Sequence, residues 1–232
     1  MIRLSSKLDP SGDPRKTTPM NAHGIALASA VALMTTTPPP ACPAGMTRVP
    51  GLASCIDRYE ASLTSGDKGA ADGRGTTAKA QSKAGRRPAV RVSQLQAKAM
   101  CANANKRLCT RAEWLAACQG SDGKRTYAYG SAFVSKRCHD RPLAAQRDLT
   151  EAMPTGSLKA CRTPEGVYDL SGNVWEWLAD SDAEVAALIG GGFGNDDHHL
   201  ACQHPAEHLS QPVTQQAEAL GFRCCVDLPK QR

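Results

Sequence analysis

Val167 to Trp177, reading VYDLSGNVWEW, is the stretch whose reading decides this chain. It packs two carboxylates, a glycine turn and two tryptophans into eleven residues, a combination an ordinary core does not need. Asp169 and Glu176 bracket Ser171-Gly172-Asn173, where glycine permits positive φ and asparagine tolerates it. Such a loop offers hard oxygen ligands. Because calcium accepts several oxygens in flexible geometry, Asp169, Glu176 and the backbone oxygens of Gly172 and Val174 form a candidate calcium site. The alternative is a turn without metal, in which Asn173 bonds the backbone and the tryptophans pack. Trp175 and Trp177 alternate along a predicted strand, so one faces the core and the other the opposite side.

Outward from this motif, the chain has 232 residues, is 41% hydrophobic and only 4% aromatic, enough for one moderate domain with few large packing groups. The third tryptophan, Trp114, falls in a predicted helix. Ten cysteines lie beyond residue 41 and no two have CxxC spacing, which disfavours zinc ribbons and thioredoxin-like chemistry and favours structural disulfides made outside the cytosol. Cys224 and Cys225 are adjacent, so in a strand they point to opposite faces and need separate partners. Cys109 and Cys118 sit at opposite ends of a helix, about 13 Å apart, beyond disulfide reach.

Residues 1–41 read as a signal-peptide-like or disordered segment: Arg15 and Lys16 precede the apolar run Gly24 to Met34, and small residues and Pro38 to Pro40 follow it. Met20 is an alternative start, and a Thr/Pro-rich tail of a cytosolic protein is the competing reading. The run is too short for a stable membrane span. Net charge is +6, but residues 1–41 carry +2 and residues 62–91 carry +5, leaving about −1 elsewhere. The basicity is therefore assigned to a tail and an insert rather than to a folded face, and with no aromatics interleaved in the insert nucleic acid is not an expected partner.

Residues 42–232 form the predicted domain, with 62–87, rich in small and basic residues, as a mobile surface insert. Short strands are predicted within Met46–Tyr59. Two helices carry capping boxes: Ser93 with Gln96 starts a helix over Gln94–Ala104, and Thr110 with Glu113 starts one over Arg111–Gln119. Later strands are predicted at Tyr127–Gly130, Gly166–Leu170, Trp175–Leu178, Leu188–Phe193 and Gly221–Val226. Early helices followed by short strands indicate an α+β fold with antiparallel pairing.

With VYDLSGNVWEW, KRLCTRAEW (Lys106–Trp114), IGGGF (Ile189–Phe193) and GFRCC (Gly221–Cys225) in this order, the chain resembles the formylglycine-generating enzyme family, also called sulfatase-modifying factors. The resemblance covers Met46 to Asp227. It implies a C-type-lectin-like fold variant, two helices with twisted antiparallel strands and abundant loop, frequently holding calcium. In the best-known members it implies oxidation of a sulfatase cysteine to formylglycine by oxygen and a copper ion held by two thiolates. The family pattern further implies the bridges Cys101–Cys224 and Cys118–Cys202, leaves Cys109 for Cys225, and assigns Cys42–Cys55 and Cys138–Cys161 to local loops.

The copper-binding cysteines should follow the glycine-rich strand. Here that stretch, GGGFGNDDHHLAC (Gly190–Cys202), holds only Cys202, at the spacing of the family's structural cysteine. Copper(I) requires soft thiolates, which Asn195, Asp196 and Asp197 do not replace. The expectation is a family member without formylglycine-forming activity: an extracytoplasmic, secreted or periplasmic, monomeric binding or structural module whose surface from Asn195 to His208 takes a peptide, protein or other extracellular ligand. The alternative is a metal-dependent oxidoreductase, an iron or copper oxygenase or a divergent sulfatase activator. For it, His198, His199, Asp196 and Asp197 are the candidate ligands of iron, zinc or copper(II). His204 and His208 have i, i+4 spacing, but Pro205 interrupts a helix between them.

Overall fold

The Ser93 and Thr110 capping boxes start the two main helices where the sequence places them. In the computed structural model, which describes residues 41–64, 77–182, 184–203 and 209–229, Ser93 Oγ accepts from Gln96 N and Gln96 Oε1 from Ser93 N, opening α1 (Gln94–Asn103). Thr110 and Glu113 repeat the exchange at α2 (Arg111–Gln119). Each box satisfies amides that a helix start leaves without partners. Glu113 also pairs with both terminal nitrogens of Arg107 at 2.7 Å. Burial opposes its charge, yet Arg107 and Thr110 hold its carboxyl down at about 2.

Strands β1 (Met46–Arg48), β2 (Ser54–Asp57), β5 (Arg107–Leu108) and β10 (Cys224–Asp227) form an antiparallel sheet in the order β1-β2-β10-β5. A second sheet has the order β8-β7-β6-β9, from β6 (Trp175–Ser181), β7 (Val185–Ile189), β8 (Ser210–Pro212) and β9 (Leu220–Phe222). Here β9 runs parallel to β6, with Trp175 opposite Leu220 and Trp177 opposite Phe222, a departure from uniformly antiparallel pairing. The segment Gly221–Val226 is thus two strands in two sheets, broken at Arg223.

Alternation along strands sorts the core. Trp177 packs with Ala97, Met100 and Phe222 on the α1 side, while the next residue, Leu178, packs with Trp114, Ala117 and Leu170 on the α2 side. Cys224 and Cys225 divide in the same way, the first bridged to Cys101 of α1 and the second to Cys109 just before α2. Trp175 is the half-buried member of the tryptophan pair.

Four expectations change. Residues 62–87 are not simply a surface loop: β3 (Ala61–Leu63) pairs with β4 (Ala80–Ser82), and Ala61, Leu63 and Ala80 enter the core. Tyr127–Gly130 and Gly166–Leu170 contribute isolated bridges rather than strands, because turns occupy both segments. A third helix, α3 (Arg141–Arg147), starts at Asp140, whose carboxylate accepts from Leu143 N, with Pro142 in its first turn. A short α4 covers Asp197–Leu200. The signal-peptide-like segment 1–40 and the histidines His204 and His208 lie outside the described residues.

Candidate functional site

The VYDLSGNVWEW loop is fastened by positive-φ backbone at Asp169, Gly172 and Asn173. At Gly172 no other residue fits, since an added Cβ would come 2.6 Å from the His139 carbonyl oxygen. The two carboxylates that bracket the loop are buried and their oxygens are engaged by protein donors. Glu176 Oε2 accepts from Trp114 Nε1 (2.8 Å) and Arg223 Nε (2.7 Å), and Oε1 from Arg223 Nη2 (2.6 Å). Asp169 Oδ2 accepts from the Thr155 hydroxyl (2.8 Å) and Gly156 N (2.7 Å). Arg223, 1% exposed, also donates to the carbonyls of Asp57 and Tyr168.

This geometry gives the surroundings of the expected calcium ligands Asp169, Gly172, Val174 and Glu176. The cation that compensates Glu176 is the Arg223 guanidinium, whose forked donors fit the carboxylate. Glu60, a residue the sequence reading passed over, completes the cluster: Oε2 accepts from Asn173 Nδ2 (2.6 Å) and Oε1 from Val174 N (3.2 Å). Burial, then the charges of Asp169 and Glu176, pushes its carboxyl well above the usual range. Burial likewise raises Asp169 to about 6. Nothing in the local pattern of Glu60 reveals its role, since its partners lie over a hundred positions away.

Asn173 joins this cluster to the segment that follows β7. Its amide nitrogen donates to Glu60 and to the Met153 carbonyl, so Oδ1 is the acceptor, taking Met153 N and facing His139 Nδ1 at 3.0 Å. His139 Nδ1 therefore carries the proton, and Nε2 presents a lone pair that is buried without a hydrogen-bond partner. Burial lowers the His139 pKa, favouring that neutral form. Phe193, its amide bonded to the Asn173 carbonyl, stacks on the imidazole at 5.4 Å.

Beyond Phe193 the acid and histidine run turns outward. Asp196 is bonded to Arg141 Nη2 (2.8 Å) and to His199 Nδ1 (3.3 Å), and the bond to His199 lowers its pKa. The His198 side chain is 77% exposed and reaches Asp197 only at 3.9 Å. His199 meets the edge of Trp175. The residues expected as redox-metal ligands, Asp196, Asp197, His198 and His199, share one short turn, with Asp196 bonded to Arg141. Among the described residues no three His, Cys, Asp or Glu side chains are arranged to hold a metal. A cavity of about 380 Å³ opens between Arg87, Val90, Arg91, Thr150, Glu151 and Glu218. The amides of Arg91 and Trp175 are bonded to Ala217 and Ala219, flanking Glu218.

All ten cysteines are bridged, as Cys42–Cys55, Cys101–Cys224, Cys109–Cys225, Cys118–Cys202 and Cys138–Cys161, the pairs the resemblance implies. No thiol is free. Cys202, the one cysteine after the glycine strand, is 0% exposed in its bridge to α2. A copper–thiolate pair therefore does not fit this chain.

The family model of the sulfatase-modifying factor enzyme 1-like domain matches residues 49–228. The chain belongs to this family. Its relatives include inactive Cα-formylglycine-generating enzyme 2 of Bos taurus, 29% identical over 150 residues, covering 59% of this chain and 49% of the relative. The formylglycine-generating enzyme of Mus musculus is 32% identical over 164 residues, covering 60% and 44%. The chain thus spans about half the length of the curated relatives it matches. Of solved structures, PvdO from Pseudomonas aeruginosa has a TM-score of 0.52 at 19% identity, covering 75% of this sulfatase-modifying-factor-like chain and 80% of PvdO. Treponema denticola variable protein 1 has 0.50 at 16%, covering 82% and 93%. These likenesses show the fold alone. No described helix is long and apolar enough to cross a membrane.

Proposed function

We propose that this chain is a non-catalytic member of its family, a disulfide-stapled extracytoplasmic module that binds a ligand in the cleft between Arg87, Val90, Arg91, Glu151 and Glu218. The observation that carries this reading is the cysteine inventory: oxidation through a copper–thiolate pair needs two thiols, and every cysteine sulfur is in a disulfide. The match to an inactive relative supports it. Five bridges support a compartment in which disulfides persist, since cytosolic reductants would keep such thiols reduced. The cleft supports the binding role, with two arginine–glutamate pairs and an apolar Val90 in its walls.

The test is direct. The oxidised protein, supplied with copper, oxygen, a reductant too mild to open disulfides and a cysteine-bearing sulfatase peptide, should leave the peptide mass unchanged over many hours. Loss of sulfur from the peptide, with appearance of the aldehyde, would sink the proposal. Thiol titration after denaturation without reductant should find no reactive sulfur. Two thiols per chain would restore the oxidase reading.

A further inference from the structure

The insert's basic end does not stand apart from the fold. Gly85 N donates to the Thr155 carbonyl (2.9 Å), Thr155 N donates to the Arg86 carbonyl (2.8 Å), and Tyr59 N donates to the Ser82 hydroxyl (3.1 Å). These bonds hold Ser82, the residue before the exposed Lys83, against the Tyr59 backbone. Tyr59 stacks on Tyr168 with ring centres 5.0 Å apart, and Lys159 and Arg162 stand 6.0 and 5.9 Å from the Tyr168 centre. Arg58 precedes Tyr59, and Arg137, whose guanidinium lies 5.0 Å over the Tyr129 ring, donates from Nε to the Ala160 carbonyl at the edge of the same loop.

We propose that this face, Arg58, Lys83, Arg137, Lys159 and Arg162 around the stacked Tyr59 and Tyr168, docks a sulfated polysaccharide. Among the described residues, none of these five cations has a carboxylate partner. The bonds that Arg58, Arg137, Lys159 and Arg162 make go to neutral oxygens: Arg58 Nε to the Met46 carbonyl (3.2 Å), Lys159 Nζ to that of Gly156 (2.8 Å), Arg162 Nη1 to the Tyr168 hydroxyl (3.2 Å). Such bonds fix the stems and leave further donors for an external anion. The nearby carboxylates are already engaged, the buried Asp169 by Thr155 and Gly156, and Glu165 by Arg125.

Two glycines show that the cations and rings are built in. A Cβ at Gly156 would come 2.6 Å from Tyr59 Cε1, and one at Gly166 2.6 Å from Arg58 Nη1, and both glycines have positive φ. The donors stand on separate loops, a layout suited to anions repeated along a polymer rather than to one carboxylate. Guanidinium forks match the oxygens of sulfate, and the half-buried Tyr59 ring gives a sugar an apolar edge to lie on.

The experiment uses the full chain and heparin fragments of defined length. Lys159→Glu with Arg162→Glu should weaken binding at least ~10-fold, whereas Lys98→Glu with Arg111→Glu, an equal change in net charge near Ser181 and Asp180, should weaken it less than ~3-fold. Melting curves check that each variant folds. If the reversed pair does not melt cooperatively, Lys159→Gln with Arg162→Gln is read in its place and should weaken binding in the same direction. Equal weakening by both pairs, absence of heparin binding at physiological salt, or displacement of heparin by poly-glutamate of equal charge would overturn the proposal. Copper and peptide oxidation play no part in this readout, so it stands or falls independently of the catalytic question.

Discussion

Two regions of this molecule hold nearly the same side-chain chemistry and behave differently. Around Arg223, the carboxylates of Glu60, Asp169 and Glu176 are enclosed, with their donors supplied by Trp114, Asn173, Thr155 and backbone amides. In the turn Asp196–His199, carboxylates and imidazoles lie at the surface, with Arg141 reaching in from α3. Composition alone would assign a metal to either. The difference teaches that residue type proposes a chemistry, whereas burial and the number of competing donors decide it. In the first region a guanidinium compensates the charge, and in the second, water does much of that work.

The largest effect should come from removing the buried cation. Arg223→Met leaves Glu176 without its compensating charge and should destabilise the fold by about 3–5 kcal/mol in chemical denaturation. A loss below about 1 kcal/mol would erase the contrast between the two regions. Asn173→Ala withdraws partners from Glu60, Met153 and His139, and should cost about 2–3 kcal/mol by the same measurement.

Titration sharpens the comparison further. Asp169 has a folded pKa of about 6 against an ordinary 3.8, and Glu60 is raised in the same direction, so folding takes up protons as pH falls. Their contribution to stability is complete below the unfolded values and is lost as pH rises through the folded ones. His139 acts oppositely: its lowered pKa contributes stability that is present above 6.5 and lost on acidification. Denaturation between neutral pH and about pH 5 should show the carboxylate rise in the native chain, and Glu60→Gln should flatten it. An unchanged slope in that variant would remove Glu60 from the account.

The smallest effect belongs to the exposed turn. Asp196→Asn and His198→Ala should leave the denaturation midpoint unmoved, with or without added zinc. A zinc-dependent rise in melting temperature that His198→Ala abolishes would return a metal to this turn.

Legibility in the sequence followed range. Capping boxes are contained in four residues, so both main helices were readable to within a residue or so. The facing of Cys224 and Cys225 followed from strand geometry, and their partners followed from the family pattern. By contrast, α3 depended on an Asp140 cap and a first-turn proline that the strand reading passed over, and the end of the insert was misassigned because β3 and β4 are three residues each. Glu60 and His139 gave no signal. Their importance rests on contacts with Asn173 at separations of 113 and 34 residues.

What this sequence determined by itself was the fold, the disulfide framework expected of it, and the absence of a thiol pair after the glycine strand. Each depends on residues that neighbour one another in the chain or recur at family spacing. Only the tertiary structure decided that Arg223 compensates the buried Glu176, and that Glu60 and His139 gather on Asn173. Electrostatic compensation acts through space, so neither could be read from segments whose charges were summed separately.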